Sequence, residues 1–315
     1  MFTGAEAIAT GWTPDALERA VRSGRMLRLR PGVYCVVPDE SELHPADRAR
    51  RHRARQAVAA ALVTTDAVVT ALGAATLLGW PTWAPRERAC LSVPGATSTS
   101  VDGVHLHRGR LPASAVASVA GFRLTRPSRT IVDVACEFGT EAGLVVADAA
   151  MAASLTTPER LRWEIERCDG QRGIASARPL PALMDPEAES VLESRSRWQL
   201  AAADLPRARP QTWLYDLDGR FLGRTDFYWA AGVVGEVDGA GKLTEPGARQ
   251  AFLQRQLLLT RAGLRVVRWR EADLHAFGPT EAWIREELAA AAADPRPPRW
   301  RVGTRLGVGS AVSMV

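Results

Sequence analysis

The chain has 315 residues, 46% hydrophobic and 24% charged, with a formal net charge of +5 and a pI near 9.5. This composition excludes an intrinsically disordered or fibrous protein, and the length exceeds one typical core, so about two or three domains are expected. No apolar run reaches the roughly 20 residues of a membrane span, and the N-terminus lacks the basic start and apolar run of a signal peptide.

Cys35, Cys90, Cys136 and Cys168 are far apart and form no CxxC pair. Neither a zinc site nor a disulfide framework is expected, and a reducing cytoplasm is the natural setting. The positive charge is compatible with nucleic acid as a partner. It is unevenly spread: Arg19, Arg22, Arg25, Arg28 and Arg30 crowd one segment, and Arg48, Arg50, Arg51, Arg53 and Arg55 another. Such clusters also serve simply to solvate helix faces, so charge alone leaves both readings open.

In chain order, Thr3 can cap a first helix over Ala5 to Thr10, which Gly11 breaks. Thr13-Pro14-Asp15 starts a second helix with a capping residue followed by proline at the first position. Leu17 and Val21 face inward on it, and Arg19, Arg22 and Arg25 outward. Met26 to Arg30 alternates as a strand, Pro31-Gly32 turns, and Val33 to Val37 returns. Two helices followed by a basic two-stranded hairpin is the plan of a winged helix, whose second helix enters the major groove. The stretch GWTPDALERAVRSGRMLRLRPGVYCV resembles the N-terminal winged-helix domain of the AbiEi-type antitoxins of type IV toxin–antitoxin systems, over roughly residues 4 to 38. The resemblance implies binding to double-stranded promoter DNA through Arg19, Arg22, Arg25, Arg28 and Arg30, repression of its own operon, and a cognate toxin as partner.

Residues 45 to 80 read as a helical stretch ending at Gly79-Trp80-Pro81. Short strands follow near Ala89 to Val93 and Val104 to Arg108. Then come a strand, a cap at Ser128, and helices with Ile131, Val132, Val134 and Ala135 inward. This stretch, and TRPSRTIVDVA within it, resembles the middle region that follows the antitoxin winged helix in many actinobacterial chains. His105 and His107 share one strand face and are metal-ligand types. With no third ligand nearby in sequence, an exposed polar strand face is the expected reading.

Residues 169 to 184 read as a Gly/Pro-rich linker. A helix from Asp185-Pro186 would then place Glu189, Glu193 and Arg197 in one row. The strand RPQTWLYDL and the Asp218-Gly219 turn lead to two strands joined at Ala230 to Gly232. Period-two alternation puts Arg224, Asp226 and Tyr228 on one face, and Phe227 and Trp229 on the other. If Phe227, Trp229, Val233 and Val237 are buried, Asp226, Glu236 and Asp238 meet on the opposite side. Converging acids repel unless a cation lies between them, and an all-oxygen set suits Mg2+ or Mn2+. A helix over Gly247 to Ala262, a strand over Leu264 to Trp269 and a helix over Thr280 to Ala292 complete the pattern. Gly307-Val308-Gly309 has no strand–helix context, so it gives no nucleotide-binding motif.

The pieces ESVLESRSRW, RTDFYW, VVGEVDGAGKL and GLRVVRW, in that order, resemble the PD-(D/E)XK nuclease core, and within it the small Vsr-like endonuclease domains. The resemblance implies Asp226 and Glu236 as metal ligands, with Asp238 where the motif usually has lysine. Lys242, four residues on, would orient the attacking water or balance phosphate charge, and Glu189 (or Glu193) would hold a metal-bound water.

The expected architecture is thus an α/β multidomain chain. Residues 1–40 form a winged-helix DNA-binding domain, 41–168 an α+β antitoxin-like middle domain and 169–184 a linker. Residues 185–293 form a restriction-endonuclease-like PD-(D/E)XK α/β domain, and 294–315 a disordered tail. Two functions remain open: a cytoplasmic Mg2+- or Mn2+-dependent endonuclease acting on DNA in defence or repair, or an antitoxin-like transcriptional regulator with an inert nuclease-like domain. Oligomeric state is not legible.

Overall fold

A computed structural model describes residues 1–43, 45–85, 88–95, 99–101, 103–119, 121–239, 248–294 and 296–305. The chain divides into two compact units, Met1–Pro186 and Glu187–Val315. Among the described residues the strands form three sheets, two in the first unit and one in the second.

The first unit opens with β1 (Phe2–Thr3), α1 (Gly4–Ala9), α2 (Pro14–Arg22), β2 (Met26–Arg30) and β3 (Val33–Val36). Both helices start where the capping residues predict. Thr3 and Glu6 form a reciprocal capping box, and the Thr13 hydroxyl accepts the Ala16 N–H with Pro14 behind it. Gly32 supplies the left-handed turn between β2 and β3, at φ 77°. The short β1, not expected from sequence, pairs with β3 to give the order β1-β3-β2. Ala7, Leu17, Ala20 and Met26 form the core of this module, with Phe2, Val21 and Tyr34 packed against it. The hairpin's other apolar residues, Leu29, Val33 and Cys35, cluster with Ala59 of the next helix, α3 (Pro45–Leu62).

Next come β4 (Val68–Thr70), α4 (Ala71–Leu77), β5 (Ala89–Val93), β6 (Thr99–Val101), β7 (Val104–Arg108), β8 (Val116–Val119) and β9 (Phe122–Thr125). They form a mixed sheet of order β6-β7-β5-β4-β9-β8, with β5–β7 and β4–β9 parallel. Residues 45–80 are therefore not one helical stretch. The β-branched Val68, Val69 and Thr70 form a buried strand inside it, a run whose three residues are too few to reveal a period. Val69, Leu91, Val104 and Leu124 cluster with Ala57 and Ala60 of α3 and Ala74 of α4.

The remaining helices of this unit are α5 (Pro127–Phe138), α6 (Thr140–Ala152), α7 (Pro158–Arg167) and α8 (Leu180–Leu183). The cap of α5 is Arg126 with Pro127 at the first position, not Ser128, whose hydroxyl instead bonds that of Thr156 at 2.8 Å. Residues 169–184 differ from the expected linker. They carry a 3-10 turn and α8, and they bury Ile174, Ala177, Leu180 and Met184.

The second unit contains α9 (Val191–Ala202), β10 (Arg209–Asp216), β11 (Phe221–Trp229), β12 (Val233–Asp238), α10 (Ala248–Arg261), β13 (Arg265–Arg270), α11 (Gly278–Ala292) and β14 (Trp300–Gly303). Its sheet runs β13-β12-β11-β10-β14, with β12 and β13 parallel and the other pairs antiparallel. Phe227, Trp229, Val233, Val237, Val267 and Trp269 pack with Leu200 of α9 and Ile284 of α11. Tyr228 and Val234 pack with Leu259 of α10. The sheet is thus a layer between helices, with Phe227 and Trp229 on one face and Tyr228 on the other as period-two alternation predicts.

Two expectations for this unit are corrected. α9 begins at Val191, so Glu189 lies outside the helix and forms no helical row with Glu193 and Arg197. The reason is local: Ser190 accepts the Glu193 N–H and fixes the helix start there. The segment from residue 294 is not wholly disordered, because Trp300–Gly303 adds β14 to the sheet edge. Trp300 donates its indole N–H to the Tyr228 hydroxyl at 3.1 Å, and its ring lies where a Cβ on Gly232 would project. Gly307-Val308-Gly309 lies outside the described residues.

Candidate nucleic-acid interface and acidic site

The N-terminal module presents a basic surface. On α2, burial of Leu17 and Ala20 turns Arg19 and Arg22 outward, one helical turn apart. Arg25 follows the helix with its guanidinium on the Ser23 hydroxyl at 3.1 Å, and Arg28 is the exposed residue of β2. Among the described residues, none of Arg19, Arg22, Arg25 and Arg28 has a carboxylate within ion-pair distance. Arg30 is half-buried beside a register shift in β2 and stands apart from that row.

The second arginine cluster is used differently. Arg55 holds Glu40 through two hydrogen bonds of 2.8 and 3.0 Å, Arg53 bonds Thr82 at 3.1 Å, and Arg50 pairs with Asp47. Arg55 and Arg53 thus tie α3 to its surroundings, while the Arg50–Asp47 pair lies within the helix. Similar composition therefore covers two roles, and only the contacts separate them.

In the second unit, the β11–β12 ladder pairs Phe227 with Gly235 and goes no further toward Asp226. The same register brings Asp226 level with Glu236. The Asp226 carboxylate fills the opening and accepts the Val237 N–H at 2.9 Å. On the next strand pair, the β10–β11 register brings Gln211 level with Asp226. Gln211 has φ 44°, a left-handed conformation uncommon for glutamine in a strand. The side alternation breaks here. Tyr228 packs toward α10, whereas Arg224 holds Glu189 at 2.7 and 2.6 Å beside the start of α9. Arg224 and Tyr228 therefore do not share a face as strict alternation predicts.

Glu236 is 4% exposed, and its carboxylate meets Arg255 of α10 at 2.5 Å. Burial raises its pKa to about 7; Arg255 and Arg268 pull it down, and Asp226 and Asp238 push it up. Arg255 also donates to the Arg224 carbonyl. Arg268 is the register partner of Glu236 on β13, bonds Gln256 at 3.0 Å and lies 3.7 Å from Asp238. Glu193 is taken up structurally: it accepts from the Ser190 hydroxyl at 2.8 Å, the Glu189 N–H at 3.1 Å and Gln211 at 2.6 Å. Lys242 lies outside the described residues.

The carboxylates of Asp226, Glu236 and Asp238 form an oxygen-only donor set of the type that suits Mg2+ or Mn2+. They are not drawn together into a tight cage. Among the described residues, the group of three potential ligand atoms all within 4.8 Å of one another is that of Cys90, His107 and Glu137. Arg255 and Arg268 instead neutralise Glu236 and Asp238. An ion entering here would have to displace those guanidinium groups or share the acids with them.

Arg255, Arg268 and Gln211 are the neighbours that sequence reasoning missed. Arg255 and Arg268 come from segments that read only as a helix and a strand, with no spacing that ties them to Glu236. Gln211 gave no signal, because its backbone conformation is visible only in three dimensions.

Residues 1–37 match the model of a family described as the transcriptional regulator AbiEi antitoxin. Two curated relatives are the uncharacterized proteins MT2308 and Rv2248 of Mycobacterium tuberculosis, from strains CDC 1551 and ATCC 25618. Each is 28% identical over 217 residues, which covers 69% of this chain and 74% of the relative. Among the described residues, no helix is long and apolar enough to cross a membrane.

Proposed function

We propose that this protein binds double-stranded DNA through its N-terminal helix–hairpin module, as a transcriptional regulator of the antitoxin type. The observation that carries this reading is the row of Arg19, Arg22, Arg25 and Arg28. All four are exposed and without a carboxylate partner among the described residues, within the 37 residues that match the antitoxin family. As a winged helix, the module would set α2 in the major groove with its arginines on phosphates, while the β2–β3 turn grips the flanking backbone. The operon's own promoter is the expected DNA, and the cognate toxin the expected protein partner. Fluorescence anisotropy with a promoter duplex and a scrambled duplex, each across a salt series, tests this. Preference for the promoter, with affinity for both duplexes lowered in Arg22→Ala and Arg28→Ala, supports it; equal affinity of the wild type for both duplexes removes the regulatory reading.

A second reading, favoured by Asp226 standing level with Glu236 where the ladder opens, is metal-dependent hydrolysis of a DNA phosphodiester. The PD-(D/E)XK assignment of residues 185–293 belongs to it. Asp226, Glu236 and Asp238 would hold one or two divalent ions, which would polarise the phosphate and lower the pKa of bound water. Arg255 would leave Glu236 for the phosphate, Lys242 would orient the water, and Glu189 would release Arg224 to hold a water at the rim. Plasmid nicking with Mn2+, wild type against Asp226→Ala, decides this. Nicking lost in the variant supports a nuclease. A wild type that cuts nothing leaves the domain as an inert module.

A further inference from the structure

We propose that the first unit contains a binding site for a divalent transition-metal ion of the zinc type, formed by Cys90, His107 and Glu137. It is independent of both readings above. The sheet creates it: β5 and β7 are parallel, with Cys90 beside His105 and Ser92 beside His107, so these four side chains lie on one face. Thr70 of β4 pairs with Cys90 and bonds Asp133 of α5 at 2.5 Å, so α5 lies against that same face. Glu137, one helical turn after Asp133, is thereby delivered to the sheet.

The sulfur, ring nitrogen and carboxylate oxygen all lie within 4.8 Å of one another, and His107 Nε2 is 3.9 Å from Glu137 Oε2. Ligands about 2.0–2.3 Å from a tetrahedral ion are spaced roughly 3.3–3.8 Å apart. Shifts on the order of 1 Å would therefore seat an ion. A thiolate, an imidazole and a carboxylate together favour zinc or cobalt over magnesium or calcium. Three protein ligands leave a fourth position for water.

The surroundings fit. Arg88 holds Glu137 by Oε1, which leaves Oε2 toward His107, the arrangement in which an outer group orients a ligating carboxylate. Burial holds the His107 ring toward its neutral, ligating form. Burial also pushes the Cys90 thiol up, so the ion must displace its proton. Among the described residues, the charged and titratable groups around the cluster include Arg88, His105, Asp133 and Cys136. His105 is bonded to Ser100 at 3.1 Å and so remains a neighbour of the cluster.

The test is titration of chelator-stripped full-length protein with Co2+, followed by absorbance, with Zn2+ as competitor. The expected result is a thiolate-to-cobalt band saturating at one ion per chain and bleached by Zn2+. His107→Ala should weaken Co2+ binding at least about tenfold, Cys90→Ser should abolish the band, and Cys136→Ser and Asp226→Ala should leave it intact. Circular dichroism checks the fold of each variant, and if Cys90→Ser fails to fold, the wild type and His107→Ala decide. A folded wild type without the band overturns the proposal. So does a band that survives in His107→Ala at unchanged affinity, or one that disappears in Cys136→Ser.

Discussion

Asp226 stands level with Glu236 on the neighbouring strand, and its carboxylate accepts the Val237 N–H at 2.9 Å where the ladder between them opens. One side chain thus substitutes for a missing strand–strand hydrogen bond while presenting negative charge beside a buried acid. Those two duties can be separated by mutation. Asp226→Ala removes the carboxylate to which the Val237 N–H donates and should cost about 1–3 kcal/mol. Asp226→Asn keeps a carbonyl oxygen in place and should cost clearly less. Urea denaturation of both variants measures the difference. Nicking, if the wild type nicks, should fail in both because the charge is lost.

The environment of Glu236 makes a pH prediction for metal-free buffer. Its folded-state pKa of about 7 lies above the ordinary value of 4.5, because burial outweighs Arg255 and Arg268. The protonated carboxyl is then favoured by folding. Its contribution is fully present below pH 4.5 and is lost as pH rises through 7. The loss across that window is on the order of 3 kcal/mol. Glu236→Gln, a neutral isostere, should flatten the stability slope between pH 5 and 7 in denaturation curves. An unchanged slope would show that Arg255 keeps the carboxylate charged throughout.

The two arginine clusters should separate cleanly in DNA binding. Loss of one phosphate contact in Arg22→Ala should reduce the slope of log affinity against log salt by about 0.9. Its melting temperature should stay unchanged, because the side chain is exposed and unpaired among the described residues. Arg55→Ala should behave the opposite way. It breaks the two-bond grip on Glu40 and lowers the melting temperature, while the salt slope stays as in the wild type.

Gly235 sits at the centre of the second unit's core for a steric reason. A Cβ there would lie 2.5 Å from the Trp269 ring and 3.1 Å from the Phe227 Cβ. Those rings stack with centroids 5.4 Å apart, and Trp269 is further fixed by its bond to Ser196 at 2.8 Å. Gly235→Ala should therefore destabilise by about 1–3 kcal/mol through overpacking. Calorimetry of the variant against wild type checks it.

The sequence alone determined whatever depends on near neighbours in the chain. Thr3 and Thr13 each announce a helix start because capping is a contact with a backbone N–H three residues away. Phe227 and Trp229 were legible as core, with Tyr228 opposed to them, because alternation is a property of one strand. Where a strand has three residues, as in Val68–Thr70, or takes an irregular turn at Gln211, the period is too short or too broken to read. Only the tertiary structure decided that Arg55 is tied to Glu40 while Arg22 stays open, and that Arg255 of α10 meets Glu236. Only it brought Cys90, His107 and Glu137 together, although their sequence spacing argues against a metal site. Each of these pairings joins different elements, and a long-range contact is set by how sheets and helices stack, which no local spacing encodes.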